Sequence, residues 1–316
     1  MKTKLYIKTA FVALASMVGL SSCLKDNQHY VDFAGSPPLI ELPAATGVGS
    51  SGGILQKASL AISTTPISIN LLVNLASPHT LSNAVTVKVS VDQAALTKYN
   101  TDNSTNFILL PANFYTSTFT ATIPANQNQA NIVINVNSSL IDPSTTNYAL
   151  PLTITDGGGQ QISNYKTVIY NVQVKNKYDG RYTVTGTMTD NVVTTITGNY
   201  PRTVDLITQG GNTVAYSDGG NFAHSILNGS TVSSYGSFAP VFAFDPSTNK
   251  VTSVVNYYGQ PAANGRSARI DVTGINALSG TPGTAGSIIK VKYVLVASGA
   301  DRTFFDETFT WTSTRP

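Results

Sequence analysis

Between residues 67 and 75 the chain alternates by parity. Ile67, Ile69, Leu71, Val73 and Leu75 fall on one side, and Ser68, Asn70 and Asn74 on the other, broken only by Leu72. A strand sends successive side chains to opposite faces, so a period of two implies one buried and one wet face. Val85, Val87, Val89 and Val91 repeat the pattern. Composition agrees. The 316 residues include 40 Thr, 31 Ser and 26 Asn, while Glu41 and Glu307 are the only glutamates. Long helices draw on Ala, Leu, Glu and Lys, whereas Thr and Tyr suit a pleated surface. At 41% hydrophobic the chain has enough apolar side chain for a core. An all-β fold is expected.

The alternation also maps the organisation. From 54 to 175, extended candidates at 66–76, 85–91, 117–123, 130–136, 148–155 and 165–174 are separated by turn signals such as Asp142-Pro143-Ser144 and the glycines at 157–159. Asp92 suits the N-cap of one short helix over 93–99. About seven strands at this spacing predict an antiparallel β-sandwich. The cluster Asn176-Lys177-Tyr178-Asp179-Gly180 reads as a junction. After it, 181–188, 202–208, 213–217, 241–245, 251–257, 268–273, 287–297 and 303–312 predict eight meandering strands. Turns at 209–212, 218–221 and 245–250 separate some of them. Eight such strands close into a small up-and-down barrel, or form a second open sandwich.

The N-terminus reads as an address. Lys2, Lys4 and Lys8 precede an apolar run from Ala10 to Leu20. That run is about eleven residues, too short to span a bilayer, and fits an export signal over 1–22. Leu20-Ser21-Ser22-Cys23 resembles the bacterial lipobox, in which the cysteine is acylated and becomes the first residue. The resemblance implies a membrane anchor through acyl chains on Cys23, followed by a tether and first extended segments over 23–53. More than one buried chain gives stable anchoring. Lys25-Asp26 resembles the export signal of surface lipoproteins in Bacteroidetes, implying an outer-membrane, cell-surface location. Loss of the three lysines turns the precursor's net charge of +3 into zero. No basic stripe then remains for nucleic acid, and a hydroxyl- and amide-rich surface suits neutral partners.

A family likeness joins these threads. Val85-Thr-Val-Lys-Val89, Ala95-Leu-Thr-Lys-Tyr-Asn100, Leu109-Leu-Pro-Ala-Asn-Phe-Tyr115, Thr122-Ile-Pro124 and Tyr148-Ala-Leu-Pro-Leu-Thr-Ile154 resemble domain of unknown function 1735 of Bacteroidetes lipoproteins. The likeness covers roughly residues 30–175 and implies an immunoglobulin-like sandwich. The segments 177–182 and 305–311 look like the lipocalin-like C-terminal domains that often follow, which places an antiparallel lipocalin-like β-barrel over 177–316. Such proteins occur with polysaccharide-utilisation systems. The likeness therefore implies a non-catalytic glycan-binding or accessory protein whose partners are a neutral polysaccharide or oligosaccharide and other proteins of such a system. An adhesive surface protein that binds another protein is the alternative, and a glycoside hydrolase is a more distant one.

Site candidates follow from side-chain chemistry. Sugar C–H faces stack on aromatic rings while hydroxyls seek Asn, Gln and Arg, which singles out Tyr235, Tyr257 and Tyr258, with Arg266, Asn256 and Gln260 as polar partners. Alternation is expected to turn one of Tyr257 and Tyr258 outward. Glu307 shares strand parity with Phe305, Phe309 and Trp311. It is expected to face inward, paired with Arg181 or Arg302 rather than acting as a hydrolytic carboxylate. His29, His79 and His224 are scattered, Cys23 is the lone cysteine, and the glycine clusters precede no helix. No metal, cofactor or catalytic set is therefore expected. Asp190 with the turn at 218–221 is weighed as a Ca²⁺ site and set aside for a plain turn.

Overall fold

The computed structural model describes residues 35–46 and 54–315. Cys23, the export signal, His29 and most of the tether and first extended segments expected over 23–53 lie outside them.

The first half holds β1 (Leu39–Glu41), β2 (Leu55–Ala61), β3 (Ile67–Ala76), β4 (Val85–Val91), β5 (Ile108–Leu109), β6 (Tyr115–Thr116), β7 (Thr120–Ile123), β8 (Gln129–Val136), β9 (Tyr148–Asp156), β10 (Gln161–Ile162) and β11 (Thr167–Lys175). They form two sheets, in orders β10-β1-β3-β8-β6 and β2-β11-β9-β4-β7, with β5 beside β9. The alternating faces of β3 and β4 do what their parity requires. Leu71, Val73 and Leu75 meet Val85, Val87 and Val89 in one core with Ile132, Ile134, Leu150, Leu152 and Val172. Burying each such side chain contributes about 1.5–3 kcal/mol. The helix α1 (Gln93–Asn103) begins where Asp92 caps it, its carboxylate accepting from the Ala95 N–H at 3.0 Å. Of the 117–123 candidate only 120–123 is strand, as β7, because Phe119 takes a positive φ of 55° just before it and separates it from β6.

The second half holds β12 (Gly180–Asp190), β13 (Ile196–Gly198), β14 (Arg202–Gly210), β15 (Thr213–Ser217), β16 (Ser225–Asn228), β17 (Thr231–Ser234), β18 (Pro240–Phe244), β19 (Val251–Asn256), β20 (Arg266–Ile270), β21 (Ala277–Ser279), β22 (Ile288–Ala297) and β23 (Ala300–Ser313). The main sheet runs β19-β18-β15-β14-β12-β23-β22-β20, antiparallel throughout. Its outer strands β19 and β20 lie against each other. This is an up-and-down barrel, not an open sandwich, and its seam is closed by side chains instead of a ladder. Asn256 Nδ2 donates to the Arg266 carbonyl at 3.0 Å, and Gln260 Oε1 accepts from the Asn256 and Ala268 N–H groups, each at 3.0 Å. An aromatic core fills the interior, with Tyr182, Tyr216, Phe238, Phe242, Tyr293, Phe305 and Phe309 buried.

The junction is a locked turn. Asn176 Nδ2 donates to the Gly210 and Thr213 carbonyls at 2.9 and 2.8 Å, and the Tyr178 ring stacks on Phe244 at 3.8 Å. The Asp179 carboxylate accepts from Arg315 Nε and Nη2, each at 3.0 Å.

Up-and-down order fixes which loops share an end. β12 leaves the junction, so its far end at Asp190 sits with the start of β14, the end of β15, the start of β18, the end of β19 and the start of β20. At roughly 3.4 Å per residue, that end lies about 35 Å along β12 from the junction. There the small sheet β13-β16-β17 departs from the barrel.

Candidate functional site

The barrel interior carries a carboxylate. Glu307 lies on β23 opposite Gly186 of β12 and is fully buried. The inward orientation expected from parity holds, but the expected arginine partner does not. Arg181 pairs with Asp205 and Arg302 with Asp190. Glu307 Oε1 instead accepts from the Tyr200 hydroxyl at 2.5 Å and contacts His224 Nε2 at 2.8 Å, while Oε2 accepts from the Tyr293 hydroxyl at 2.7 Å. Burial, and then the neighbouring Glu307 charge, push the Tyr200 and Tyr293 hydroxyls far above the usual tyrosine range, so both stay donors. The His224 ring lies between Tyr216 at 4.8 Å and Phe305 at 4.6 Å.

A second buried acid stands at the barrel's far end. Asp190 accepts from Arg302 Nε at 3.0 Å, from the Thr303 hydroxyl at 2.8 Å, from the N–H groups of Val192 and Val193, and from the Tyr235 hydroxyl. Burial alone would raise this carboxyl. The hydrogen bonds from Tyr235, Val193, Thr303 and Val192 outweigh it and hold the group well below the carboxylate range.

Tyr235 is therefore not a platform. It is 3% exposed, and its ring sits beneath the guanidinium groups of Arg266 at 5.4 Å and Arg302 at 5.8 Å. Burial, followed by the hydrogen bond to Asp190, pushes its hydroxyl up to about 12. Arg266 is occupied in the same place, donating to the Gly236 carbonyl. Tyr257 and Tyr258 are both exposed, at 39% and 47%. Alternation does not decide between them, because β19 ends at Asn256 and the two rings stand on a turn. They meet edge to face at 5.2 Å, and Phe222 stacks on Tyr257 at 4.1 Å. Phe222 was invisible as a candidate because its partner is 35 residues away, across the seam end of the barrel. Tyr235 thus separates from the tyrosine pair, and Phe222 joins it.

Beside this cluster runs an open groove of about 590 Å³, lined among others by Arg202, Asn221, Ser225, Ser233, Ser234 and Tyr258. Arg202 is held two-pronged by Asp218, at 2.9 and 3.0 Å, so the one cation and one anion of the lining neutralise each other. The turn through Gly219 and Gly220, both at positive φ, leaves open space above the groove. Hydroxyls, an amide and aromatic faces at this density suit a hydroxyl-rich neutral ligand. Asp190 and Asp218 are each committed to an arginine. Among the described residues no group of three metal-ligating side chains gathers.

The chain has likenesses elsewhere. A family model described as a "-like, N-terminal domain" matches residues 49–161, within the sandwich. No curated protein matches the chain. A solved structure of unknown function from Bacteroides ovatus is 16% identical, with a TM-score of 0.57 over 82% of this chain and 91% of that one, which shows a shared fold. A multidomain protein including domain of unknown function 1735 from Bacteroides ovatus is 15% identical, with a TM-score of 0.45 over 87% and 92%. An auxiliary nutrient binding protein from Bacteroides thetaiotaomicron is 16% identical, with a TM-score of 0.46 over 84% and 92%. Of these three, the first superposes closely enough to bear on the fold.

Proposed function

We propose that the protein is a lipid-anchored accessory protein of the cell surface that binds a neutral glycan, without chemistry, at the far mouth of its barrel. The exposed rings of Tyr257 and Tyr258, backed by half-buried Phe222 and with Tyr258 lining a groove of hydroxyls and amide, carry this reading. Sugar C–H faces would stack on the rings, and Ser233, Ser234 and Asn221 would bond the hydroxyls. The anchor is Cys23, on the lipobox likeness. With the anchor before the sandwich and the mouth at the opposite end of the barrel, the groove would face away from the membrane. The burial of Glu307, with both oxygens turned to Tyr200, His224 and Tyr293, supports binding over hydrolysis. Other proteins of a polysaccharide-utilisation system are the expected neighbours.

Isothermal titration of residues 24–316 against amylopectin, xylan, laminarin and galactomannan tests the glycan part. We expect one panel member to bind, and Tyr258→Ala to weaken it by about tenfold or more, the loss of one stacking contact of roughly 1.4 kcal/mol. Silence of the wild type across the panel refutes it. Labelled palmitate entering the wild type but not Cys23→Ala tests the anchor.

A further inference from the structure

Two facing parts of the groove lining, Arg202 at the start of β14 and Ala223 with Ser225 at the entry to β16, belong to chain segments (199–202 and 223–225, the two walls below) that one buried carboxylate holds, while Asn221, β17 and Tyr258 complete the lining. Tyr200 reaches Glu307 Oε1 from the first wall and His224 Nε2 reaches the same oxygen from the second. The groove-lining residues stand next to these anchors in the chain: Arg202 follows Tyr200 by two positions, and Ala223 and Ser225 flank His224. Nearer the surface the walls are sewn again, Asn199 Nδ2 donating to Ser225 Oγ at 2.9 Å. Glu307 itself sits on β23, paired on one side by β12 and on the other by β22. The carboxylate is thus fixed to a strand with neighbours on both sides, and Tyr293 on Oε2 orients it from β22.

We infer that Glu307 is a positioning residue of the groove, a buried acceptor that gathers Tyr200 and His224 onto one oxygen and so sets the spacing of the two walls. The inference rests on the groove being the glycan site. A buried carboxylate is expensive, and well-packed apolar residues often replace buried charges without loss of stability. Apolar filling would suit the surrounding aromatic core, but it could not direct two hydrogen-bonding walls to a single point.

Three variants separate positioning from ordinary core packing: Glu307→Gln, Tyr200→Phe and Tyr293→Phe. Tyr293→Phe removes a bond to the same carboxylate but no hydrogen bond to either wall, and it keeps the ring that meets His224 edge-on at 6.5 Å. Each is followed by amide hydrogen exchange and by titration with the panel polysaccharide that the wild type binds. We expect Glu307→Gln and Tyr200→Phe to weaken binding by about tenfold and Tyr293→Phe to stay within about twofold of wild type. Exchange should rise at 199–202 and 223–225 in the first two variants, with the sandwich strands unchanged. If Tyr293→Phe disturbs the groove as much as Tyr200→Phe, or if exchange at the walls does not rise, the inference is overturned. Should Glu307→Gln fail to fold, the contrast between Tyr200→Phe and Tyr293→Phe decides alone. Should the wild type bind none of the four polysaccharides, the glycan reading falls, while the exchange pattern still settles whether Glu307 holds the walls.

Discussion

Asn256→Ala should open the barrel. Asn256 is 3% exposed at the end of β19, and its side chain ties the seam at Arg266 and the segment entering β18 at Ser237 and Ala239. Nδ2 donates to the Ser237 and Arg266 carbonyls, both at 3.0 Å, and Oδ1 accepts from the Ala239 N–H at 3.2 Å. Ala239 is fully buried, so its N–H would lose its partner with no water to replace it. Three lost bonds of about 1 kcal/mol each, with one buried group left unpaired, predict destabilisation of about 3–4 kcal/mol. Trp311 is the chain's only tryptophan and packs against the barrel core, so its fluorescence in a urea titration follows the barrel rather than the sandwich. Amide exchange at 237–239 and 266–268 should rise before the rest of the barrel opens. A loss under about 1 kcal/mol, the worth of a single ordinary bond, would mean that the seam is closed by packing and not by these side chains.

Gly186→Ala places a Cβ 2.1 Å from the Asp306 carbonyl oxygen, a backbone atom that cannot step aside. We expect about 2–3 kcal/mol of destabilisation by the same fluorescence titration, and unchanged stability contradicts the close approach of β12 to β23. Asp179→Ala leaves Arg315 and the Thr208 N–H and hydroxyl without their acceptor. Urea unfolding should show a loss of about 3 kcal/mol, as for other broken buried pairs. The depressed Asp190 carboxyl gives a pH dependence of definite sign: its contribution is complete above the unfolded value near pH ~4 and is lost as pH falls toward the lower folded value. Asp190→Asn should be less stable at neutral pH and show a flatter acid limb in thermal melts from pH 2 to 7; an acid limb as steep as wild type counts against Asp190 as its source.

Periodicity made the barrel strands legible. The eight stretches expected after residue 180 match the eight strands along the main sheet to within a few residues, because each has one face in the core. The small sheet escaped for the converse reason. β17 is exposed at all four positions, so no parity marks it. Parity also turned Glu307 inward correctly, since Phe305 and Phe309 on the same face are core. Its partners were beyond reach of any local rule: His224 lies 83 residues away and Tyr200 lies 107. Tyr235 failed as a platform because a loop aromatic reads as exposed until the arginines above it and the acid below it are brought together by the fold. Arg302 and Thr303 open β23, Asp190 ends β12, and only the pairing of those strands makes one pocket of them.

The two buried acids divide the work at the far end of the barrel by chemistry. Asp190 has five donors, one of them the cation Arg302, and it closes the end where β12 and β23 meet beneath Tyr235. Glu307 has neutral hydroxyls and a histidine ring, with no lysine or arginine among its hydrogen-bond partners, and its bonds run to segments that line the groove. An ion pair tolerates some displacement, because Coulomb attraction falls slowly with distance. A hydrogen bond weakens steeply as its angle closes and so holds geometry more tightly. The end that needs closure thus carries the ion pair, and the walls that need spacing carry the directional bonds. Replacing Asp190 should therefore affect stability before affinity, and replacing Tyr200 should affect affinity before stability. The reverse order in paired melts and titrations would reassign the two roles.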